Sequence, residues 1–277
     1  LITKAAAAAK AADPSRTVVV VIMSGEPIDA SAARDDANVD AILWMGYPGM
    51  LGGQAVADII FGAAVPAGRL PLTFYEADYV NKVLMINMNF RPGRCDDGQS
   101  PCTNPGHTHR FYTGAPVFAF GHGLSYTSFT YEWSNQTAAA VARDSAVLRT
   151  ATRGRESMAH VAPADDLPAF DTFEVVVTNT GKLAADDSVL CFVEAPGAGT
   201  DGTPIQTLAA FERIHLAAGE SKTVTFGVSA RHFLLAGEDG EPLVRTGDWT
   251  VRVGVKDATY KRLGGTTAIV RTVRVAE

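Results

Sequence analysis

The strongest constraint on the fold lies in the last 110 or so residues, where apolar side chains fall on every second position in run after run. FEVVVTNTG, SVLCFVEA, IQTLAAFERIHL, SKTVTFGVS and DWTVRVGV follow one another, separated by turn tripeptides such as Asn179-Thr180-Gly181, Ala218-Gly219-Glu220 and Thr246-Gly247-Asp248. Successive side chains of a strand point to opposite faces, so a period of two gives each strand one face for a core and one for water. Several such strands joined by short turns read as an antiparallel sandwich, two sheets packed face to face. Residues 167–277 are therefore expected to form a β-sandwich.

That sandwich has the strand number and spacing of an immunoglobulin-like or fibronectin type III-like unit. The first third follows a different rule: a helix is expected over residues 2–12, a strand over 17–23, a short helix over 30–36, a strand over 41–45 and a helix over 54–61. Continuous apolar strands separated by helices belong to a parallel sheet covered on both faces. Two strands make an incomplete sheet, so this segment is expected to rely on strands outside the chain or on less obvious ones downstream. From residue 62 to 116, prolines at 66, 71, 92, 101, 105 and 116 forbid long helices. The aromatics there (Phe74, Tyr75, Tyr79, Phe90, Phe111, Tyr112) argue for ordered loops packed on a neighbouring domain or a ligand. Between residues 138 and 166 aromatics vanish, and residues 135–166 read as a connector or surface insertion. The expected organisation is an α/β portion over 1–134, the connector over 135–166 and the sandwich over 167–277, two domains in 277 residues.

A net charge of −6 with no Lys/Arg block argues against a nucleic-acid partner. No apolar run approaches the roughly 20 residues of a membrane-spanning helix, so a soluble chain is expected. The opening LITKAAAAAKAADP reads as an alanine-rich helix rather than a signal peptide. A chain that begins inside a helix is expected to be processed, or to be a piece of a larger polypeptide. Cys95 and Cys102 bracket the loop CDDGQSPC and are disulfide candidates, while Cys191, in an apolar run, reads as a buried free thiol. Asn135-Gln136-Thr137 fits an N-glycosylation sequon, and with the cysteine pair it points to a secreted protein, extracellular or of the cell wall.

Parallel sheets bind ligands beyond the carboxyl ends of their strands, here the loops SGEPID and WMGYPGMLGG. The second is glycine-rich and leads into a helix, but it fits no nucleotide-binding pattern, and close helix-to-strand packing accounts for its glycines. Glycoside chemistry needs two carboxyl groups ~5 to 9.5 Å apart; Glu26, Asp29, Asp35, Asp36 and Asp58 are candidates by type, and no pair stands out. His107, His109 and His122 supply enough nitrogen for a metal site, yet they sit in loops without an obvious ligating carboxylate or cysteine, so no metal or other cofactor is expected. No Gly-x-Ser-x-Gly turn is present, which removes serine nucleophile chemistry of that kind.

Taken in order, VVVVIMSGEPIDAS, AILWMGYPGMLGGQAVADIIFGAAVPAGRLPLTFY and HRFYTGAPVFAFGHGLSYTSFTY resemble the second domain of glycoside hydrolase family 3, in its plant and fungal β-xylosidase branch. VTNTGKLAADDSVLCFVEAP, LAAFERIHLAAGESKTVTF and GDWTVRVGV are similar to the fibronectin type III-like domain of the same enzymes. The resemblance implies retaining hydrolysis of a β-linked oligosaccharide by a longer polypeptide. Its (β/α)8 barrel would carry the nucleophile, and its acid/base glutamate would sit in a loop upstream of residue 1. No catalytic residue carries over to this sequence, so a chain inactive alone is expected, with a natural non-catalytic carbohydrate-binding or scaffold protein as the alternative. His107 and His109 depart from the family's usual Arg and aromatic, which leaves any substrate contact by that loop open. In FAFGHGLSYTSFTY, Gly121 and Gly123 suit a sharp corner between domains, which makes His122 structural.

Overall fold

The computed structural model describes residues 1–95, 98, 100–135, 142–144, 169–237, 240–256 and 266–276. The chain opens with helix α1 (Ile2–Ala12), strand β1 (Val19–Ile22), the single turn α2 (Ser31–Arg34), strand β2 (Ala41–Trp44) and helix α3 (Gly52–Ile60). Strands β1 and β2 pair in parallel, Val19 opposite Ala41 through Ile22 opposite Trp44. Their sheet has two strands among the described residues. The downstream contribution is an isolated bridge between Phe74 and Phe118, outside that sheet. Ile22, Ala30, Phe74 and Val117 form the small core of this segment, with Trp44 edge-on to Phe74 at 6.0 Å.

Among its described residues the proline-rich stretch holds two single helical turns, α4 (Tyr79–Lys82) and α5 (Thr108–Phe111). Cys95 and Cys102 are joined by a disulfide, and Cys191 is a buried free thiol. Buried Asn104 ties the loop together, its amide donating to the carbonyls of Asn89, Arg91 and Arg94 while its carbonyl accepts from the Gly106 N–H. Such a side chain does the work of missing ladders, since buried backbone groups need partners.

The remaining strands are β3 (Phe129–Trp133), β4 (Ala142–Asp144), β5 (Ala169–Asn179), β6 (Ala185–Glu194), β7 (Thr207–Leu216), β8 (Ser221–Ser229), β9 (Leu234–Ala236), β10 (Pro242–Val244), β11 (Gly247–Val253) and β12 (Ile269–Ala276). They give a three-stranded sheet, β3-β5-β8, and a five-stranded one, β4-β12-β11-β6-β7, with β9 and β10 as a small hairpin. The period-two pattern does what it predicts: Phe173, Val175 and Val177 of β5 meet Val224, Phe226 and Val228 of β8 in the same core as Trp249, Val251 and Val253 of β11. Asn179, expected in a turn, ends β5 buried and satisfied. Its amide donates to the Leu183 and Leu216 carbonyls, and its carbonyl accepts from Thr127 Oγ1 and the Gly181 N–H.

The sandwich also reaches back across the expected boundary at residue 134. Strand β3 pairs antiparallel with β5, from Phe129 opposite Asn179 to Trp133 opposite Val175, because Phe129 and Tyr131 supply the inward face. Strand β4 pairs in parallel with β12. The rest of the expected connector after Asn135 lies outside the described residues.

Where chain segments meet, the Gly121-His122-Gly123 corner is closely packed. Gly121 adopts φ +83°, and a Cβ there would lie 2.8 Å from Leu190 Cδ1 of β6; a Cβ on Gly123 would lie 2.4 Å from the Gly68 carbonyl oxygen. Both positions therefore exclude larger residues. Beside them, buried Asp187 of β6 accepts from Arg69 Nη2 at 2.6 Å and from Tyr131 Oη at 2.7 Å, while Arg69 Nη1 donates to the Gly123 carbonyl. One buried ion pair thus links the α/β segment, the corner and both sheets.

Candidate functional site

The place where a parallel sheet offers chemistry is the rim past β1 and β2. There the Trp44 indole donates to Ser24 Oγ at 3.1 Å, and Ser24 Oγ donates to the Glu26 backbone carbonyl, so the two loops are tied side by side. Gly25 lies under Tyr47: a Cβ would fall 2.4 Å from the ring. Gly52 similarly backs onto Pro48, in agreement with close packing rather than an anion cradle. What the rim presents outward is apolar and aromatic: Met23, Tyr47, Met50 and Leu51 are all exposed.

The candidate carboxylates are mostly occupied locally. Asp29 accepts from the backbone N–H groups of Ser31 and Ala77; burial pushes its pKa up, but these hydrogen bonds and nearby Arg34 outweigh it and hold it below the usual carboxylate range. Asp35 pairs with Arg34 at 2.8 Å, Asp36 accepts from Asn38, and Asp58 accepts from the Gln54 amide one helical turn away. Glu26 is exposed on its loop. Four of the five are thus held by neighbouring donors, and none of those contacts joins one candidate carboxylate to another, the paired arrangement that glycosidic general-acid work requires.

The histidines go to three separate aromatic contacts. His107 is half-buried between Phe90 and Tyr79, which lowers its pKa, and its Nε2 is buried with no hydrogen-bond partner among the described residues. His109 stacks on Phe120 at 4.1 Å and meets Phe192 of β6 edge-on; burial first, and the Arg110 charge second, bring its pKa down to about 4. His122 is buried, tilted over Phe118 at 5.0 Å. Among the described residues no group of three or more His, Cys, Asp or Glu side chains converges as metal ligands would.

The aromatics of the loop region pack on one another. Tyr75 and Tyr79 stack at 4.0 Å with Tyr112 edge-on to both, and burial raises the pKa of all three phenols. The Tyr75 hydroxyl accepts from the Thr108 N–H, and the Tyr79 hydroxyl donates to the Gly106 carbonyl. Sequence reasoning located these rings but not the Arg69–Asp187 pair, whose partners lie 118 residues apart and carry no local signal.

Comparison with known proteins follows the same division. Residues 2–126 match the Glycosyl hydrolase family 3 C-terminal domain and residues 187–256 a Fibronectin type III-like domain. Beta-D-xylosidase 1 of Arabidopsis thaliana is 38% identical over 244 residues, covering 86% of this chain and 30% of that protein. Exo-1,4-beta-xylosidase bxlB of Emericella nidulans is 38% identical over 247 residues, 89% of this chain and 30% of the relative. The chain thus spans about a third of the length of the curated relatives it matches. Among solved structures, a GH3 exo-beta-xylosidase (XlnD) in complex with a xylobiose aziridine activity-based probe superposes over 100% of this chain and 32% of its own, with TM-score 0.78 and 31% identity. A beta-glucosidase from Listeria innocua shares the fold at TM-score 0.67 and 20% identity.

Proposed function

From a chain that belongs to glycoside hydrolase family 3, carrying that family's C-terminal α/β domain and its fibronectin type III-like domain, we infer the C-terminal part of an exo-acting retaining β-glycosidase, a β-xylosidase. The observation that carries this reading is 38% identity to two β-xylosidases over 86% and 89% of the chain. In the whole enzyme a (β/α)8 barrel, lying in the part of the relatives this chain does not span, supplies the nucleophile. The nucleophile forms a covalent glycosyl-enzyme, and an acid/base carboxyl then activates the water that releases it.

The role of this chain in that enzyme is to present the apolar rim of Met23, Tyr47, Met50 and Leu51 to the barrel and to brace it through the corner and the sandwich. The exposure of those side chains supports this, since large exposed apolar surfaces mark interaction sites. Secretion fits the Cys95–Cys102 disulfide and the exposed Asn135. The decisive experiment is an assay of the 277-residue chain on an aryl β-D-xyloside. No turnover above background is expected from the chain alone, with turnover when the barrel precedes it in one polypeptide; activity of the purified chain by itself would overturn the assignment of roles.

A further inference from the structure

Between the loop of residues 89–111 and the sandwich lies a cavity of about 720 Å³, within the range that holds a ligand of oligosaccharide or drug size. Its charge is one-sided. Arg91, Arg94, Arg110, Arg231 and Arg245 line it against a single carboxylate among the described residues, Asp201, in a protein whose net charge is −6. Arg91 and Arg110 both approach the Phe111 ring, at 5.5 and 5.3 Å from its centroid, so two like charges share one aromatic ring. Burial and the Arg91 charge together pull the Arg110 pKa below its ordinary value.

Other arginines in this fold are treated differently. Arg69 and Arg252, both largely buried, each meet a carboxylate, Asp187 at 2.6 Å and Glu194 at 2.8 Å. Two of the cavity arginines are positioned by neutral groups instead: Arg91 Nε donates to the Gly202 carbonyl, and Arg245 Nη1 donates to the Pro196 carbonyl and Thr203 Oγ1. Among the described residues neither these two nor Arg110 and Arg231 has a carboxylate partner. Guanidinium groups gathered without counter-charge are attractive to an oxyanion, which a planar fork binds bidentately. The apolar lining, with Leu208, Leu235 and Leu243, suits a body larger than an inorganic ion.

We propose that this cavity is a binding site for an organic carboxylate of saccharide type, a sugar acid, whose carboxylate is held by Arg110 and Arg231. That the body is a saccharide rests on the β-glycosidase reading; the need for the arginines does not. The test is calorimetric titration of the 277-residue chain with D-glucuronate, D-glucose and inorganic phosphate. Glucuronate is expected to bind saturably and one to one, and glucose, which replaces the carboxylate with a hydroxymethyl group, to bind roughly ten- to hundredfold more weakly, the scale of a charged hydrogen bond. Arg110→Gln and Arg231→Gln should each weaken glucuronate by roughly tenfold or more, with Arg110→Lys between, because it keeps charge and loses the fork. Arg231 is an exposed side chain, so its variant remains informative if the Arg110 changes disturb folding. Equal binding of glucose and glucuronate, binding untouched by both Gln variants, or binding of phosphate without glucuronate would each overturn the proposal. None of these outcomes involves turnover, so they are separate from the aryl xyloside assay.

Discussion

The sandwich buries Trp249, Phe173, Phe192 and Phe233 to 2% exposure or less, whereas the α/β segment leaves Tyr47, Met50, Phe61 and Met85 between 81% and 97% exposed. Both segments draw on the same residue types. What differs is whether the chain contains the partner surface for each apolar face. The sandwich carries both of its sheets, and each strand's inward row meets another. Among the described residues the α/β segment carries one pair of parallel strands, and its longest helix, α1, buries only Ala6. Stability in this chain should therefore reside in the sandwich, with the α/β segment held to it through a few contacts at the corner.

Cutting into each core is the largest test. Trp249→Ala should cost about 4 to 5 kcal/mol, the upper part of the range for a fully buried aromatic, because a closed sandwich cannot collapse around the hole. Phe74→Ala, in a four-residue core beside open surface, should cost about 3 kcal/mol, since its surroundings can relax. Denaturant unfolding of both variants checks this; equal losses would mean the two regions are equally consolidated.

Next in size is the link between them. Replacing Arg69 with Met leaves Asp187 buried at 2% exposure with only the Tyr131 hydroxyl, and breaking such a pair costs about 3 to 5 kcal/mol. The expected signature is a thermal transition that splits in two, the α/β segment melting first. A single transition shifted as a unit would show that the corner and the aromatic contacts suffice to couple the regions.

Acid should act more gently, through two partly buried histidines. His109 and His232, both held to about 4 mainly by burial, are neutral in the folded protein. An unfolded histidine titrates near 6.5, so between pH 6.5 and 4 the unfolded chain binds more protons and stability falls as pH falls. Both rings are partly exposed, so the slope is discounted to on the order of 1 kcal/mol per pH unit for each. Below pH 4 these two groups contribute no further loss. His109→Phe, which keeps a ring against Phe120 and Phe192, should remove about half of that slope in urea midpoints measured from pH 7 to 4.

How much of this was legible in the sequence divides along the same line. Period-two alternation located five sandwich strands because side-chain burial there is set by neighbours two residues away. The first strand, Phe129–Trp133, hid inside an aromatic motif, since Phe129 and Tyr131 look alike as the end of one domain or the start of the next. The Arg69–Asp187 pair and the arginine cavity were invisible because their members lie far apart in the sequence and are brought together only by the fold. The rim was readable as strand ends, but its chemistry was not, because carboxylates such as Asp29, Asp35 and Asp58 look catalytic by type until their local hydrogen bonds are seen.

The smallest expected effect separates the two possible reasons for the exposed apolar face. Met50 and Leu51 of the rim stand 97% and 71% exposed, so neither has much contact to lose in this chain. Met50→Gln and Leu51→Gln should therefore change its unfolding free energy by less than about 0.5 kcal/mol, the ordinary range for surface positions. If the rim is the seat of the preceding barrel, the same changes in one polypeptide that includes the barrel bury an amide where an apolar side chain packed. Each should then cost about 1 to 3 kcal/mol. Urea unfolding of both lengths, followed side by side, reads the difference directly. A cost that stays near zero in the longer polypeptide would mean that the barrel docks elsewhere, and that the asymmetry between the two regions is a property of the α/β fold itself rather than of an absent partner.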